Sequence, residues 1–568
     1  MTGAYHGFRI NAVPSDRRDH AWRVFAALVL LTAGLAYPLS VHPHSLAFRY
    51  DSDAKLIQWI IGWDVHAFLA QPLALFDANI FAPLPNTLAY AEHLIGSAVL
   101  AAPVIWLTDN YFLATNLVAL LSIPLSGLGA YLLARRLGAG PQAAFLAAVI
   151  FAFAPPRFFR LAQLQLTTIQ WMPFCLAWLH QYLDKGRPRH LRLALLMFTA
   201  QALSGGHGAV FLAVSIGALL LYRGVLGDPL APLRRLRDAG VIGILTLLPV
   251  VLMFLPYLDA QRNAGLVRTL DGWRTSTASF LASPSYVHTW IAQAFPESWR
   301  TGPDAYLFPG YLPLLLPLAG LLAWLRTRRG DTTSRPLRHN NALFYTALGG
   351  GCFALLLGPP YGVWQWVYDW PILNFIRVPT RFSLVLMLAL AMLAALGFER
   401  VARAWPARRR TVVATVLALL LVGEFASAPL DVADARHQLP AIDRWLDRQI
   451  KPFTVAEAPM PRDPEDYSAQ NARNALYMVH SMAHWQKTVH GFSGVLPDEH
   501  NQLYRAMAAF PSEDAISRLR RLGTTYVIYH ADLTNAETRA QLDQQFAPFA
   551  NALLLVHEEA DGRAYRLR

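Results

Sequence analysis

Apolar residues collect into long runs separated by short polar stretches as far as about residue 429, after which they fall into brief alternating or helically spaced segments. Crossing roughly 30 Å of hydrocarbon takes about 20 mostly apolar residues, fewer where the ends snorkel. Runs of this kind lie at 22–40, 111–134, 141–156, 167–183, 190–204, 208–223, 239–258, 308–325, 341–358, 381–398 and 411–429. They predict about eleven transmembrane helices. The first run follows Arg17, Arg18 and Arg23 and has no small-residue cleavage site behind it, so it reads as an uncleaved signal anchor with a cytoplasmic N-terminus.

A further run, His93 to Leu107, is ambiguous by length, and the placement of positive charge arbitrates. If it spans, every later basic cluster falls outside. If it lies in or dips into the outer interface, the clusters at Arg135/Arg136, Lys185/Arg187/Arg189, Arg234/Arg235/Arg237, Arg326/Arg328/Arg329/Arg335/Arg338 and Arg403/Arg408/Arg409/Arg410 all become cytoplasmic. The reading that satisfies all these loops makes 93–107 a short interfacial or re-entrant helix. Residues 41–110 then form an outer loop, and 157–166, 204–208, 259–307 and 359–380 are the other outer segments. The chain divides into a membrane domain, 1–429, and an extracytoplasmic domain, 430–568. In the latter, Phe453–Glu457 and Thr524–Tyr529 read as strands and 511–522 and 534–546 as helices. The fold class is an α-helical polytopic membrane protein with interfacial helices and a C-terminal soluble α/β domain.

Composition agrees with this pattern. Of 568 residues, 54% are hydrophobic and 15% charged, against about 25% charged in an ordinary soluble domain. Cys175 and Cys352 both lie inside apolar runs, which excludes a disulfide framework or a cysteine-rich zinc site. The net charge of +12 resides largely in arginine clusters between apolar runs, where it orients helices, and does not point to nucleic acid.

The richest chemistry is in the first outer loop. Arg49-Tyr-Asp51-Ser-Asp53-Ala-Lys55 precedes Trp59 and Trp63, whose i, i+4 spacing suits an amphipathic helix at headgroup level. Asp53 or Asp51 can take a proton from a hydroxyl, and as Asp-x-Asp the pair can hold a divalent cation, Mg2+ or Mn2+. Helix capping by Ser52 or Asp53 is the plain alternative. Glu92 and His93 open the interfacial helix as candidate substrate contacts, although a carboxylate there also favours the helix dipole. Arg157, Arg160, Arg377 and Arg381 sit at outer helix ends, against the orientation rule, and with Lys55 they are candidates for a lipid phosphate. Snorkelling to headgroups accounts for any one of them equally well. Gln163, Gln165 and Gln170 could bond sugar hydroxyls or neighbouring helices. His207, in the turn Ser204-Gly-Gly-His-Gly208, is a candidate site residue or a simple turn residue. Arg262, Arg268, Asp271, Trp273, Arg274, His288, Trp290, Glu297 and Trp299 interleave aromatic and polar groups in loop 259–307, as a sugar-stacking surface or an interfacial belt would.

An early acidic outer loop, a membrane-parallel helix, the stretch from His93 through Asn116 to Gly129-Ala-Tyr131-Leu-Leu-Ala-Arg135-Arg136-Leu-Gly138, and a span ending at Ala154-Pro155 resemble the GT-C superfamily of polytopic membrane glycosyltransferases. Over about the first 180 residues the similarity is to the protein mannosyltransferase and aminoarabinose transferase branch. Phe375-Ile-Arg377-Val-Pro379-Thr-Arg381-Phe382, His484-Trp485 and Gly491-Phe-Ser-Gly494 look more like bacterial YfhO-like membrane proteins. The resemblance implies a sugar transferred from a polyprenyl-phosphate donor to a glycan, lipid or protein acceptor. The reaction would proceed on the outer face of a bacterial inner membrane, with Asp53 preferred over Asp51 as base. The chain departs from the family in lacking the mannosyltransferase Asp-Glu pair and any oligosaccharyltransferase acceptor motif. Two rival classes are a lipid or glycolipid flippase, for which Glu424 is almost the sole acidic residue within a span, and a non-catalytic scaffold binding through Trp485 and His484.

Overall fold

The computed structural model describes residues 21–225, 231–263, 275–303, 305–327, 340–358, 362–368, 370, 376–435 and 439–568. Helices occupy all the apolar runs. The first is α1, Ala21–Leu35; the segment 41–110 supplies α2, Ser52–Ala70, and α3, Ile95–Thr108; α4 is Tyr111–Arg136 and α5 Pro141–Phe153. Helices Trp171–Lys185, Pro188–Ser204, Gly206–Val225, Ala231–Asn263, Tyr311–Thr327, Asn341–Leu356, Ser383–Val401 and Ala407–Phe425 follow. Among the described residues, Tyr111–Arg136, Gly206–Gly224, Arg234–Arg262 and Pro379–Val401 are long and apolar enough to cross a membrane by themselves. Helix α3 has 14 residues, about 21 Å at 1.5 Å per residue, shorter than the hydrocarbon is thick, and Val99, Leu100, Trp106 and Leu107 project from it exposed.

Close packing in the bundle relies on small residues. A methyl at Gly320 would stand 2.3 Å from Cα of Gly397, so helices Tyr311–Thr327 and Ser383–Val401 meet backbone to backbone. At one end of the bundle Glu399 accepts from the Gly140 amide at 2.8 Å and from Arg410 at 2.6 Å. The loops carrying Arg135 and Arg410 therefore share an end. Segments 41–110, 154–170, 204–208 and 376–383 gather at the other end, as the contacts below establish.

Helix α2 departs from the expected surface helix. Asp51 is its N-cap, accepting from Ala54 N at 3.0 Å, so neither Ser52 nor Asp53 caps it. Every residue from Ile57 to Val65 is buried. One side packs on α3 and α4, and the other is covered by helix Tyr467–His480 of the tail. Trp59 and Trp63, 0% and 3% exposed, stack within this sandwich, with Trp63 Nε1 donating to Leu75 O at 2.8 Å. The indoles are not at a headgroup surface, because protein occupies the place expected for lipid.

The tail holds a five-stranded sheet of order β4-β3-β5-β7-β6, built from β3 Thr454–Ala458, β4 Lys487–Thr488, β5 Tyr526–His530, β6 Leu553–Glu558 and β7 Gly562–Leu567. Its first three strands are parallel and β5-β7-β6 antiparallel. Its own core surrounds Tyr477, Leu503, Tyr504, Leu519, Val527 and Tyr565. Two seams join it to the segment 41–110. β1, Leu46–Phe48, pairs antiparallel with β2, Val432–Asp434. Beside β4, Thr488 N donates to Asn79 O at 2.7 Å, Ala82 N to Thr488 O at 2.9 Å and Phe81 N to His490 O at 3.1 Å. The loop thus continues the tail's sheet.

Candidate functional site

Helix α2 points Asp53 toward the segment that follows α5. Asp53 lies in the first turn, where a carboxylate is favoured by the helix dipole, and its Oδ2 accepts from Gln163 Nε2 at 3.2 Å. Gln163 Oε1 in turn accepts from Arg160 Nη1 at 3.0 Å. Pro155 and Pro156 open a separate turn there and redirect the chain so that Arg160 and Gln163 come back over α2. Asp53, Arg160 and Gln163 are all partly buried.

Next to this chain runs a second one. Glu92 Oε1 accepts from the His207 amide at 2.7 Å, and Glu92 Oε2 faces His207 Nδ1 at 2.6 Å. Arg381 Nη1 donates to His207 Nε2. Both ring contacts are hydrogen bonds when the imidazole carries its proton on Nδ1, so Glu92 and Arg381 together fix the tautomer. Burial alone would raise the Glu92 carboxyl, but His207 and Arg381 outweigh it and hold it below the usual glutamate range. Gly205 permits the approach: a methyl there would stand 3.1 Å from Glu92 Oε1 and 3.5 Å from Gln165 Cβ. Arg381 comes from a 3-10 turn, Pro379–Phe382, immediately before helix Ser383–Val401.

Three cations converge on this place. Burial, with Arg381 and Arg49 close by, lowers the Arg160 guanidinium to about 10. Arg49 donates to Tyr306 OH at 2.9 Å and lies over the rings of Phe48 and Tyr306. Guanidinium groups that repel one another in a partly buried site create a strong preference for an anion between them. Sequence reasoning did not single out Arg49 as a site residue, nor Tyr306. Their only sequence signal is an aromatic or basic residue in an outer loop, which many positions share.

Other candidates are placed differently. Arg157 is 1% exposed and committed inside the protein: Nη1 donates to Ala152 O at 2.9 Å and Nη2 to Ser126 Oγ at 2.7 Å, Thr167 O at 3.2 Å and Ser122 O at 3.4 Å. It ties α4 to the turn after α5 and is out of reach of a lipid phosphate. Lys55, two positions beyond Asp53, points about 200° round the helix from it; its Nζ donates to Tyr50 O at 3.2 Å and sits 4.2 Å from the Tyr50 ring centre. His93 is 1% exposed, with Nδ1 on Tyr257 OH at 2.9 Å and Nε2 on Ala202 O at 3.2 Å, so it is a joint between helices and offers no open nitrogen to a substrate. Arg377 is partly buried just before the Arg381 turn, and Gln165 lies beside Gly205 with a buried Oε1 that finds no hydrogen bond. Arg268, Asp271, Trp273 and Arg274 lie outside the described residues.

Asp51 and Asp53 do not form a closed cation site. Asp51 is exposed and spends Oδ1 on its cap, Asp53 holds Gln163, and among the described residues no third His, Cys, Asp or Glu joins them. A buried acidic and histidine cluster of that kind is present, but it lies in the tail.

No protein-family model and no curated protein sequence matches the chain. Solved structures match its fold. The Archaeoglobus fulgidus oligosaccharyltransferase in its apo form superposes with a TM-score of 0.53 at 13% identity, over 97% of this chain and 75% of that one. The same enzyme in complex with Zn and sulfate gives 0.52 at 12% identity, over 95% and 72%. The arabinofuranosyltransferase AftD from Mycobacteria gives 0.59 at 15% identity, over 97% of this chain but only 40% of that one. These neighbours are GT-C glycosyltransferases, and at such identities the likeness is one of fold: the chain has the GT-C fold.

Proposed function

We propose that the protein is a membrane glycosyltransferase that moves a sugar from a polyprenyl-phosphate-linked donor to a hydroxyl of a glycan, lipid or protein acceptor. The observation that carries this reading is the convergence at one end of the bundle of a carboxylate, Asp53, with Arg160, Arg381 and Arg49. A base beside an anion cradle is what such a transfer requires. The acceptor oxygen attacks the anomeric carbon as the bond from that carbon to the phosphate oxygen breaks. Asp53 takes the acceptor proton, and the departing lipid phosphate keeps the electron pair, its charge met by Arg160 and Arg381. A single displacement of this kind inverts the anomeric centre. Gln163 positions the carboxylate, and the Glu92-His207 pair positions Arg381.

The solved enzymes that share the fold also transfer sugars, which supports the class. In our reading, the basic loops around Arg135 and Arg410 are cytoplasmic and the Asp53 end, with the tail, faces outward across a bacterial inner membrane. The lipid tail of the donor then stays in the bilayer while its phosphate reaches the arginines.

The rival classes lose their best residues. Glu424 accepts from the Tyr311 and Leu312 amides at the N-terminus of helix Tyr311–Thr327 and from His288 Nε2 at 3.0 Å, a capping role and not a transport site. Trp485 stacks on His66 of α2 at 4.8 Å, and His484 is 2% exposed, packed inside the tail beside the Phe453 ring, so neither side chain is presented as a binding face for a partner. The decisive experiment is mass spectrometry of envelope glycans and lipids from a deletion strain complemented with wild type or Asp53→Asn. A sugar mass lost in the deletion and restored by wild type alone supports the reading; restoration by both removes Asp53 as base.

A further inference from the structure

The tail contains a group of side chains that the transfer chemistry does not use. Asp443 stands on helix Ala441–Asp447, Glu457 on β3, His480 at the end of helix Tyr467–His480 and His530 at the end of β5. All are buried, at 1%, 0%, 3% and 0% exposure. One donor atom from each can be chosen so that the atoms lie within 4.8 Å of one another. Glu457 Oε2 is 2.8 Å from His530 Nε2 and 3.1 Å from His480 Nδ1; the two nitrogens are 3.4 Å apart, and Asp443 Oδ2 is 3.6 Å from His480 Nδ1.

Protons alone leave this group unsatisfied. One oxygen, Glu457 Oε2, can accept from both imidazoles. Glu457 Oε1 and both oxygens of Asp443 are buried without a hydrogen-bond partner. Each such group is costly in a dry interior, and native folds rarely tolerate several together. A cation placed among the donors would engage an Asp443 oxygen that has no other partner and would offset the charge of the two buried carboxylates. With bonds of about 2.0–2.1 Å, a tetrahedral ion separates its ligand atoms by about 3.3 Å, and the four separations above, 2.8 to 3.6 Å, bracket that spacing. Two carboxylates and two neutral imidazoles carry a charge of −2, matched by one divalent ion. Mixed nitrogen and oxygen donors suit zinc or a neighbouring transition ion; magnesium and calcium take larger all-oxygen shells.

We propose that Asp443, Glu457, His480 and His530 bind one divalent transition-metal ion, zinc being the best fit, as a structural site of the tail. Four protein ligands leave no open position, so the ion is not catalytic. The ligands come from two helices and two strands, and binding therefore fastens the folded tail. Helix Tyr467–His480 also covers α2, so the ion steadies the surface against which the Asp53 helix is held.

The test uses the full-length protein in detergent, with Zn2+ and Co2+ as probes. Elemental analysis of the wild type is expected to give about one zinc per chain, and chelation followed by Co2+ is expected to give the intense visible absorption of tetrahedral Co2+. Asp443→Asn and His530→Gln should each lower the bound metal at least tenfold, whereas the Asp51→Asn/Asp53→Asn double variant should keep it. Chelation should lower the unfolding temperature of the wild type, with recovery on adding Zn2+. Should either ligand variant fail to fold, the wild-type Co2+ spectrum and its chelator response decide. Folded wild type that takes up neither ion, or metal retained by both folded ligand variants, would overturn the proposal.

Discussion

Gln163 Nε2 donates to Asp53 Oδ2 at 3.2 Å across 110 residues of sequence, which fixes the orientation of a carboxylate that the helix backbone alone would leave free to rotate. If Asp53 is the base, Asp53→Asn keeps the shape and the contact to Gln163 but cannot take a proton. Product formation should fall by about 10²–10⁴-fold, the usual worth of a positioned base, with unfolding temperature unchanged. Gln163→Ala should cost less, about tenfold, since it loosens a base that is still present. Quantitative mass spectrometry of the transferred sugar, with equal membrane levels of each variant, checks both.

The arginines separate by what surrounds them. In the proposed transfer Arg160 and Arg381 form the anion cradle, and Lys cannot reproduce their bidentate fork. Arg160→Lys and Arg381→Lys should each lower turnover by on the order of 100-fold with little change in stability. Arg157 lies on the same short segment, but its guanidinium bonds Ala152, Ser126, Thr167 and Ser122. Arg157→Lys leaves several of these buried acceptors unmet and should destabilise by about 2–3 kcal/mol. Residual activity per folded molecule should stay near wild type. Parallel turnover and thermal-unfolding measurements on the three variants distinguish the two roles.

These contrasts mark what the sequence could convey. Apolar runs specify helices because burial in the bundle demands them, and every run is a helix in the structure. That Arg160 and Gln163 would meet Asp53, and His207 would join Glu92 to Arg381, depends on which outer segments touch, and no local periodicity encodes that. Trp59 and Trp63 show the other side of the problem. Paired indoles fit an interfacial helix and a buried seam equally, and what decides is helix Tyr467–His480, some 400 residues away. Strands β1 and β2 have three residues each and exist only by pairing with each other, too short for any alternation to register. The two histidines and two carboxylates clustered in the tail, Asp443, Glu457, His480 and His530, lie 14, 23 and 50 positions apart, with none of the tight spacing that identifies a zinc motif.

Asp64 gives a prediction in pH. It is fully buried in α2, where Oδ2 accepts from Leu94 N at 3.2 Å and Oδ1 has no partner, and burial pushes its carboxyl up to about 8. In the unfolded chain the same group ionises near pH 4. Below that pH both states hold the proton and the residue adds no pH dependence. Between about pH 4 and 8 the folded state keeps a proton that the unfolded state has released, so stability falls as pH rises, and above 8 the loss is constant. Asp64→Asn cannot ionise; any cost of its own amide is the same at every pH. The stability of Asp64→Asn relative to wild type should therefore climb between pH 4 and 8 by on the order of a few kcal/mol and then level. Unfolding temperatures of both proteins across that range test the slope, and parallel curves would place the Asp64 proton elsewhere.

The joint between tail and outer loop is tightest at Gly491. A methyl there would stand 2.5, 2.6 and 2.7 Å from three carbons of the Phe81 ring, closer than any side chain tolerates. The ring has nowhere to retreat: it is fully buried, with the His500 ring centre at 5.4 Å and the Tyr90 ring centre at 5.9 Å. Its backbone is pinned as well, by the Phe81 N to His490 O hydrogen bond. Gly491→Ala must push the two sides of this seam apart, at a cost of about 1–3 kcal/mol. Since the strain falls on the contact between loop and tail and not inside the tail's own core, limited proteolysis should open the joint before either part unfolds. Shrinking the ring tests the cause directly. Phe81→Leu alone leaves a gap and should also destabilise, but in the Gly491→Ala/Phe81→Leu double variant each change fills or relieves the other. Its stability should exceed the sum of the single effects by at least about 1 kcal/mol; strict additivity would mean that the two residues do not bear on each other.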